Sequence, residues 1–437
     1  GLNFQPGVRV ETNCQNCGFQ QVRINGLDGP YTQILIDSRP IFSALAGVYG
    51  LEQIPANMIE RVEVMRGGGS ALFGSSAIAG TINIITKEPL RNSGQLSHTI
   101  TGVGGTSSWD NSTTMNASLV TDNSKAGLYI FGQNRERSGY DSDGDGFTEL
   151  PKLKNQTVGF RSFLKTSAYS KLTFEYHHLQ EFRRGGDLLN RPPHEANIAE
   201  QLRHSINSGG LKFDYFSPDE KHRLSVYASA QHIGRDSYYG GNQDLNAYGA
   251  TKDFTWVAGS QYIYHFDRCL FMPSDLTGGV EYNQDNLKDD MWGYNRYTNQ
   301  KVRIAGAFFQ NEWRNRQWSI LLGGRLDKHN LINHVIFSPR ANIRFNPVEN
   351  VNLRASYSVG FRAPQAFDED LHIENVGGTI SMIELADNLK EEKSQSFSVS
   401  ADVYHRWGAF QGNFLLEGFY TNLSDVFALR EIGVRDG

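Results

Sequence analysis

The chain has 437 residues, 42 Lys+Arg against 47 Asp+Glu for a net charge of −5, 39% hydrophobic and 12% aromatic residues, 45 Gly and 3 Cys. No run of about 18 to 20 apolar residues occurs, which excludes a helical membrane protein, while evenly spread Tyr and Phe exclude disorder and the lack of a basic stripe excludes a nucleic-acid binder. Three Cys cannot staple a disulfide scaffold, and a mean hydropathy of −0.46 still permits a transmembrane barrel, which faces lipid with only every second residue.

Residues 1–89 hold short apolar runs (QVRINGL, TQILID, RVEVM, TINIITK) between Gly-rich and Pro-containing turns, as expected of a small α/β globule. Near its start Cys14 and Cys17 form a C-x-x-C pair, able to close a small disulfide or to supply half of a tetrahedral zinc site. Gly67, Gly68, Gly69, Gly74 and Gly80 suit turns of positive φ or close backbone approach. A phosphate cradle is disfavoured, because no Lys-Ser/Thr pair follows the glycines. KEPLRNSG at 87–94 is the one plausible joint between this globule and the rest of the chain.

From about residue 95 the texture becomes a procession of roughly fifteen strands. Leu172, Phe174 and Tyr176 alternate with Lys171, Thr173 and Glu175; Leu211, Phe213 and Tyr215 with Lys212 and Asp214; and VNLRASYSV at 351–359 keeps period two throughout. Tyr and Phe cluster near the run ends, where an interfacial girdle needs them. Compact turns at 121–127, 217–222, 315–317 and 346–350 fall between longer stretches around 138–153, 183–204, 236–251 and 360–393. Short turns on one rim and long loops on the other mark an outer-membrane barrel, with a soluble β-sandwich as the alternative. The string VRDG at 434–437 reads as a loop where a closed barrel needs a final strand, so the chain is expected to be part of a longer protein.

Candidate ligands lie in the longer stretches. Asp141, Asp143, Asp145 and Glu149 surround a glycine turn that opens like a calcium loop, with oxygen ligands at positions one, three and five and Gly146 at six. Lys152 at the twelfth position excludes an EF-hand, leaving a loop-stiffening calcium site or a solvated acidic turn. His177 and His178 are adjacent on a strand and point to opposite faces. His194 and His204 flank a long stretch and are open to ligand contact, whereas Cys269, in a short-turn segment, is expected to be an unpaired thiol. No G-x-S-x-G or H-E-x-x-H motif and no nucleophile–base pair is present, so no enzyme is expected.

Several segments carry a specific resemblance. IERVEVMRGGGSALFGSSAIAGTINIITKEP (59–89), RINGLDGPYTQILIDSRPI (23–41), EWRNRQWSILLGGRLD (312–327), and FRAP (361–364) followed by NLKEEKSQSF (388–397) together make the chain resemble a TonB-dependent outer-membrane receptor. The resemblance implies a membrane all-β fold: a twenty-two-stranded transmembrane β-barrel, present here in part, filled by an N-terminal α/β plug. The plug is assigned to 1–89 and the barrel to 90–437, with the TonB box before Gly1 and the closing strands after Gly437 missing by comparison. Departures are local: Gly68 stands where Pro is common, Ser38 replaces a Gly, and the second barrel box lacks its prolines, which weakens any substrate assignment resting on that box.

The resemblance also implies roles. Plug arginines of the family meet barrel glutamates, so Arg61, Glu63 and Arg66 are expected against the wall with Glu392 as a partner, the alternative being that Arg61 and Glu63 pair inside the plug sheet. Cys14 and Cys17 would lie near the plug apex facing the substrate, as a disulfide in an oxidising compartment or as contacts to a metal-bearing substrate. Phe361 and Arg362 of the first box join the substrate candidates. His372, between the boxes, is placed like a haem axial ligand, although residues 1–89 hold no second His. The implied activity is energised import of a scarce metal-containing nutrient across the bacterial outer membrane, haem or another iron complex first, cobalamin or a copper chelate next. A passive porin or adhesin is the distant alternative. The implied partners are TonB with its inner-membrane energising complex, outer-membrane lipid and a surface lipoprotein, with no nucleic acid; no resident cofactor is required beyond the candidate calcium.

Overall fold

The computed structural model describes residues 2, 5–14, 18–40, 54–74, 77–105, 108–366, 368–376, 379–386 and 389–434. In the N-terminal globule β1 (Val8–Cys14) pairs antiparallel with β2 (Phe19–Ile24). β3 (Thr32–Ile36), β4 (Ile59–Arg66) and β5 (Gly80–Thr86) form a second sheet in the order β3-β5-β4, with β3 parallel and β4 antiparallel to the central β5. A one-turn helix, α1 (Ser70–Phe73), sits between β4 and β5. The four apolar runs of the sequence are β2 to β5. The central strand GTINIIT is buried on both faces, which β-branched residues fit best. Ile82 and Ile84 pack there with Val22, Ile24, Ile34 and Ile36. Gly67 and Gly74, both at φ +80°, bracket the turn and helix after β4.

Around this globule runs one antiparallel sheet of fifteen strands. They are β6 (Ser93–Val103), β7 (Ser108–Val120), β8 (Ala126–Arg137), β9 (Lys152–Ser167), β10 (Ser170–Gly186), β11 (Ile198–Phe216), β12 (His222–Gly241), β13 (Tyr248–Cys269), β14 (Met272–Met291), β15 (Arg296–Arg314), β16 (Trp318–His329), β17 (Ile336–Phe345), β18 (Val351–Arg362), β21 (Glu392–Trp407) and β22 (Phe410–Ser424). Between β18 and β21 the chain makes a one-turn helix, α2 (Asp368–Leu371), and a small hairpin, β19 (Glu374–Val376) with β20 (Thr379–Ser381).

The polarity of this wall is inverted relative to a water-soluble sheet. Val158 is 56% exposed on the outer face while its neighbour Thr157 is 5% exposed on the inner one. Ile100, Phe174, Val280, Phe309 and Phe414 likewise face outward, and Glu181, Arg183, Arg235, Asp289 and Arg325 are buried inward. A large apolar outer surface belongs in lipid, not water. Stacked pairs Phe271–Trp313 and Trp318–Phe345 lie at the short-turn rim, as an interfacial girdle requires.

The expected short turns share one rim and the segments 138–151, 187–197 and 363–391 share the other. Two expected long stretches are half or more strand: β10 continues to Gly186 and β11 starts at Ile198, while β12 reaches Gly241 and β13 starts at Tyr248. Their Gly, Tyr, Arg and Asp content reads as loop because both faces are buried at this end of the wall, Tyr238 with Ala196 and Ala247 and Tyr239 with Met291 and Ile373, which removes the alternation.

Candidate functional site

The globule touches the inner wall through two apolar patches, Met58 on Tyr129 and Phe131 and the plug core on Val257 and Tyr227, and through discrete polar clusters. The turn after β3 carries Asp37 and Arg39; Arg161 of β9 and Glu175 of β10 are register partners facing them. Arg161 Nη1 donates to Asp37 Oδ2, to Thr86 Oγ1 at 2.6 Å and to Glu175 Oε2 at 2.6 Å. Arg39 Nη2 donates to Glu175 Oε1, and Nη1 to Ser229 Oγ at 3.0 Å. The four charges alternate in sign and share their hydrogen bonds. Gly210, opposite Glu175 in register, leaves the room: a Cβ there would stand 2.6 Å from Arg39 Nη1. Burial would raise the Asp37 carboxyl, but Arg161, the Thr86 hydrogen bonds and Arg39 outweigh it and hold it below the usual carboxylate range.

Further fastenings surround the globule. Arg325 of β16 pairs with Asp327 at 2.8 Å and Glu281 at 3.1 Å and donates to the Leu72 carbonyl of α1 at 3.2 Å. Tyr31 Oη donates to Glu392 Oε1 at 3.2 Å, and Arg362, 3.5 Å from Glu392 Oε2, lies over the Tyr31 ring. Arg66 reaches Glu417 Oε2 at 2.6 Å and the Pro6 carbonyl at 2.7 Å. Arg183 of β10 donates to the Gly18 carbonyl at 3.2 Å.

These contacts redistribute the expected roles. Arg61 and Glu63 pair with each other at 2.8 Å, with side chains 60% and 48% exposed, and Glu63 also accepts from Asn83. Two apart on β4, they share one face of the plug sheet, which satisfies them locally. Arg66 meets the wall, but at Glu417; Glu392 is taken by Tyr31 and Arg362. Asp37, Arg39 and Tyr31 join the fastening without being singled out by sequence, although a charged pair in the tight turn IDSRP is a signal for the first two.

Higher in the lumen the inward side chains form register rows. Leu179, Ile206, Ile233, Asp253 and Leu287 are successive partners across β10 to β14. Two residues nearer the long-loop rim, Glu181, His204, Arg235, Thr251 and Asp289 form the next row. His204 is therefore a wall residue, six positions into β11, with Nδ1 3.5 Å from Glu181 Oε1, and does not flank a loop. His194 contacts Tyr248 Oη at 2.7 Å from the 187–197 segment. His372 comes just after α2, with Nε2 3.2 Å from Glu200 Oε1 and its ring edge-to-face on Tyr239. Phe361 is fully buried and packs with Ile332, Ile336 and Ala363. Arg362 works at the plug–wall junction through Glu392. The Cys14–Cys17 pairing lies outside the described residues, and Cys269, at the end of β13, is a free thiol.

Asp141, Asp143, Asp145 and Glu149 each offer an oxygen within 4.8 Å of the others. Asp141 accepts from the Gly144 and Gly146 amides at 2.7 and 2.8 Å, which lowers its pKa, and Asp145 accepts from Phe147. The loop is thus preordered by its own amides, and hard cations such as Ca²⁺ suit such oxygens.

Comparison with known proteins bears on the whole arrangement. Residues 89–437 match the family model "TonB dependent receptor-like, beta-barrel" and residues 1–81 match "TonB-dependent Receptor Plug Domain". The chain is 24% identical over 416 residues to the vitamin B12 transporter BtuB of Vibrio vulnificus, covering 92% of this chain and 61% of that protein. Over 101 residues it is 35% identical to the ferric enterobactin receptor PirA of Pseudomonas aeruginosa, covering 20% of this chain and 14% of that one. Its fold superimposes on the siderophore receptor PirA from Acinetobacter baumannii with a TM-score of 0.78 at 17% identity, over 97% of this chain and 71% of that one. The chain thus spans about three fifths of the length of the curated vitamin B12 transporter, 61%. With an α/β plug fastened inside an antiparallel wall that is apolar outside and charged inside, and both family models matched, the chain belongs to the TonB-dependent receptor family.

Proposed function

We propose that this chain forms the plug and much of the wall of an energised importer in the bacterial outer membrane, taking up a metal-containing nutrient from outside. The observation that carries this reading is the kind of contact between plug and wall. Asp37, Arg39, Arg161 and Glu175 hold the plug by charge-assisted hydrogen bonds that water can replace one at a time, unlike a continuous apolar interface. Such a plug seals the pore at rest and yields to a directed pull, the role assigned to TonB drawing on the inner membrane's proton gradient. Cargo binding and cargo release are then separate states, the second driven by work.

For the cargo, a ferric siderophore or cobalamin is favoured. Relatives named for those cargoes match the chain, and haem would have to take His372 Nε2 from Glu200. The acidic loop at 141–149 is assigned to Ca²⁺, which would tie its four carboxylates together at the outer rim. Titration of the purified full-length receptor with cyanocobalamin, a ferric catecholate, a ferric hydroxamate and haem tests the cargo, with His372→Ala beside it. Saturable binding of cobalamin or a ferric chelate, unaffected by His372→Ala, is expected. A shifted Soret band lost in His372→Ala would return the assignment to haem.

A further inference from the structure

The lumen wall of this receptor is mostly charged and polar; apart from apolar patches such as Tyr129, Phe131 and Val257 against the plug, one apolar row stands out higher up. Leu179, Ile206, Ile233 and Leu287 form an apolar shelf, interrupted only by Asp253, directly below the row of Glu181, His204, Arg235 and Asp289. All four apolar side chains are buried, and what covers them is the segment between β18 and β21. Ala366 and Leu371, each 2% exposed, pack on the shelf, with Leu385 at its edge. Ile373, fully buried, fills the next recess with Leu202, Tyr239 and Met291.

The covering is fastened by polar contacts as well. Arg296, at the start of β15, donates to the carbonyls of Asp370 at 3.3 Å and Leu371 at 2.6 Å while its guanidinium pairs with the buried Asp289 at 2.9 Å. Gln300 accepts from the Ala366 amide at 2.9 Å, Gln365 contacts His329, and His372 contacts Glu200. The loop therefore folds inward and is held at both the apolar shelf and the charged row.

We propose that the described residues of the segment after β18 (363–366, 368–376 and 379–386) are a self-occupying strap: in the resting receptor they fill a cargo seat in the lumen wall, and cargo enters by displacing them. The strap reports the chemistry the seat accepts. It offers an apolar group to the Leu179–Leu287 shelf and oxygen acceptors to Arg296, so the cargo carries an apolar or aromatic surface beside exposed carbonyl, phenolate or carboxylate oxygens. Arg296 is the specificity-determining donor handed from strap to cargo. Because a ligand binding only the open state sees its affinity reduced by the open fraction, the strap also sets a threshold on what can enter. The seat rests on the importer reading; the strap itself does not.

The test uses the full-length receptor in proteoliposomes with Cys14, Cys17 and Cys269 replaced by Ser, and Ile233→Cys or Leu287→Cys as reporter. A membrane-impermeant fluorescein maleimide is added from outside, with heat-modifiable migration on gels as the check of folding. An open strap populated at about 0.1–10% slows labelling by roughly ten- to a thousandfold relative to a receptor whose residues 364–386 are replaced by a Gly-Ser linker. Arg296→Gln and Leu371→Asp are expected to recover much of that rate. Equal labelling rates with the strap intact and replaced would overturn the strap. Affinities of cyanocobalamin and a ferric catecholate are then compared between the intact and strap-replaced forms. A probe that binds both equally overturns the seat, and failure of both probes on both forms counts against the cargo assignment while the labelling result stands.

Discussion

Glu175 shows how one side chain can carry a mechanism. It lies between Arg39 of the plug and Arg161 of the wall, and its loss leaves the two guanidiniums with Asp37 as their one shared carboxylate. Glu175→Gln is expected to weaken plug docking by about 3–5 kcal/mol, the usual cost of breaking one side of a buried pair. A label on the plug, followed through a urea titration in which the barrel stays folded, should show the lower midpoint. An unchanged midpoint would remove this cluster from the fastening. Asp37 adds a pH dependence of defined sign. Its carboxyl is held below its ordinary value in the docked plug. Its contribution is therefore present at neutral pH and is lost as pH falls from about 4 through that lower value. Plug release should steepen in that acid window, and Asp37→Asn should flatten it. At the outer rim, Ca²⁺ should slow proteolysis within 138–151, and Asp141→Asn should weaken Ca²⁺ binding by roughly tenfold. Equal cleavage in Ca²⁺ and chelator would leave the loop a solvated acidic turn.

At the scale of elements, the wall was legible because a membrane sheet writes its two faces into alternate residues. Phe174 and Tyr176 against Thr173 and Glu175 are exposed and inward in the structure just as they alternate in the sequence. Phe309→Arg, on the outer face of β15, should cost about 2–4 kcal/mol if that position lies near the bilayer midplane, read as a lower unfolding midpoint in liposomes. Gly210→Leu, on the inner face, should leave the wall folded and displace Arg39, seen as faster plug release. Less was legible where strands outrun the membrane, since β10, β11, β12 and β13 lose their alternation near the long-loop rim. The fastening of the plug was legible in kind but not in partner. Arg66 and Glu392 both work at the junction, yet which charge meets which depends on the register of strands far apart in sequence. The strap was invisible for the same reason: Leu371 and Ile373 look like ordinary loop residues until β10 to β15 bring the shelf beneath them.

Taken as a whole molecule, wall, plug and strap place two barriers in series along one lumen. The strap answers to the cargo's own binding, whereas the plug is held by several separate polar clusters along the wall. Under the proposed import, opening the second barrier is the step that takes work from the other side of the membrane. Uptake of radiolabelled cobalamin or ferric chelate by cells carrying the full-length receptor measures this most directly, with and without TonB and with and without a collapsed proton gradient. Energised import predicts undiminished surface binding in every case and accumulation only with both TonB and the gradient. Accumulation at equal rates without TonB would mean a passive pore and would contradict energised import.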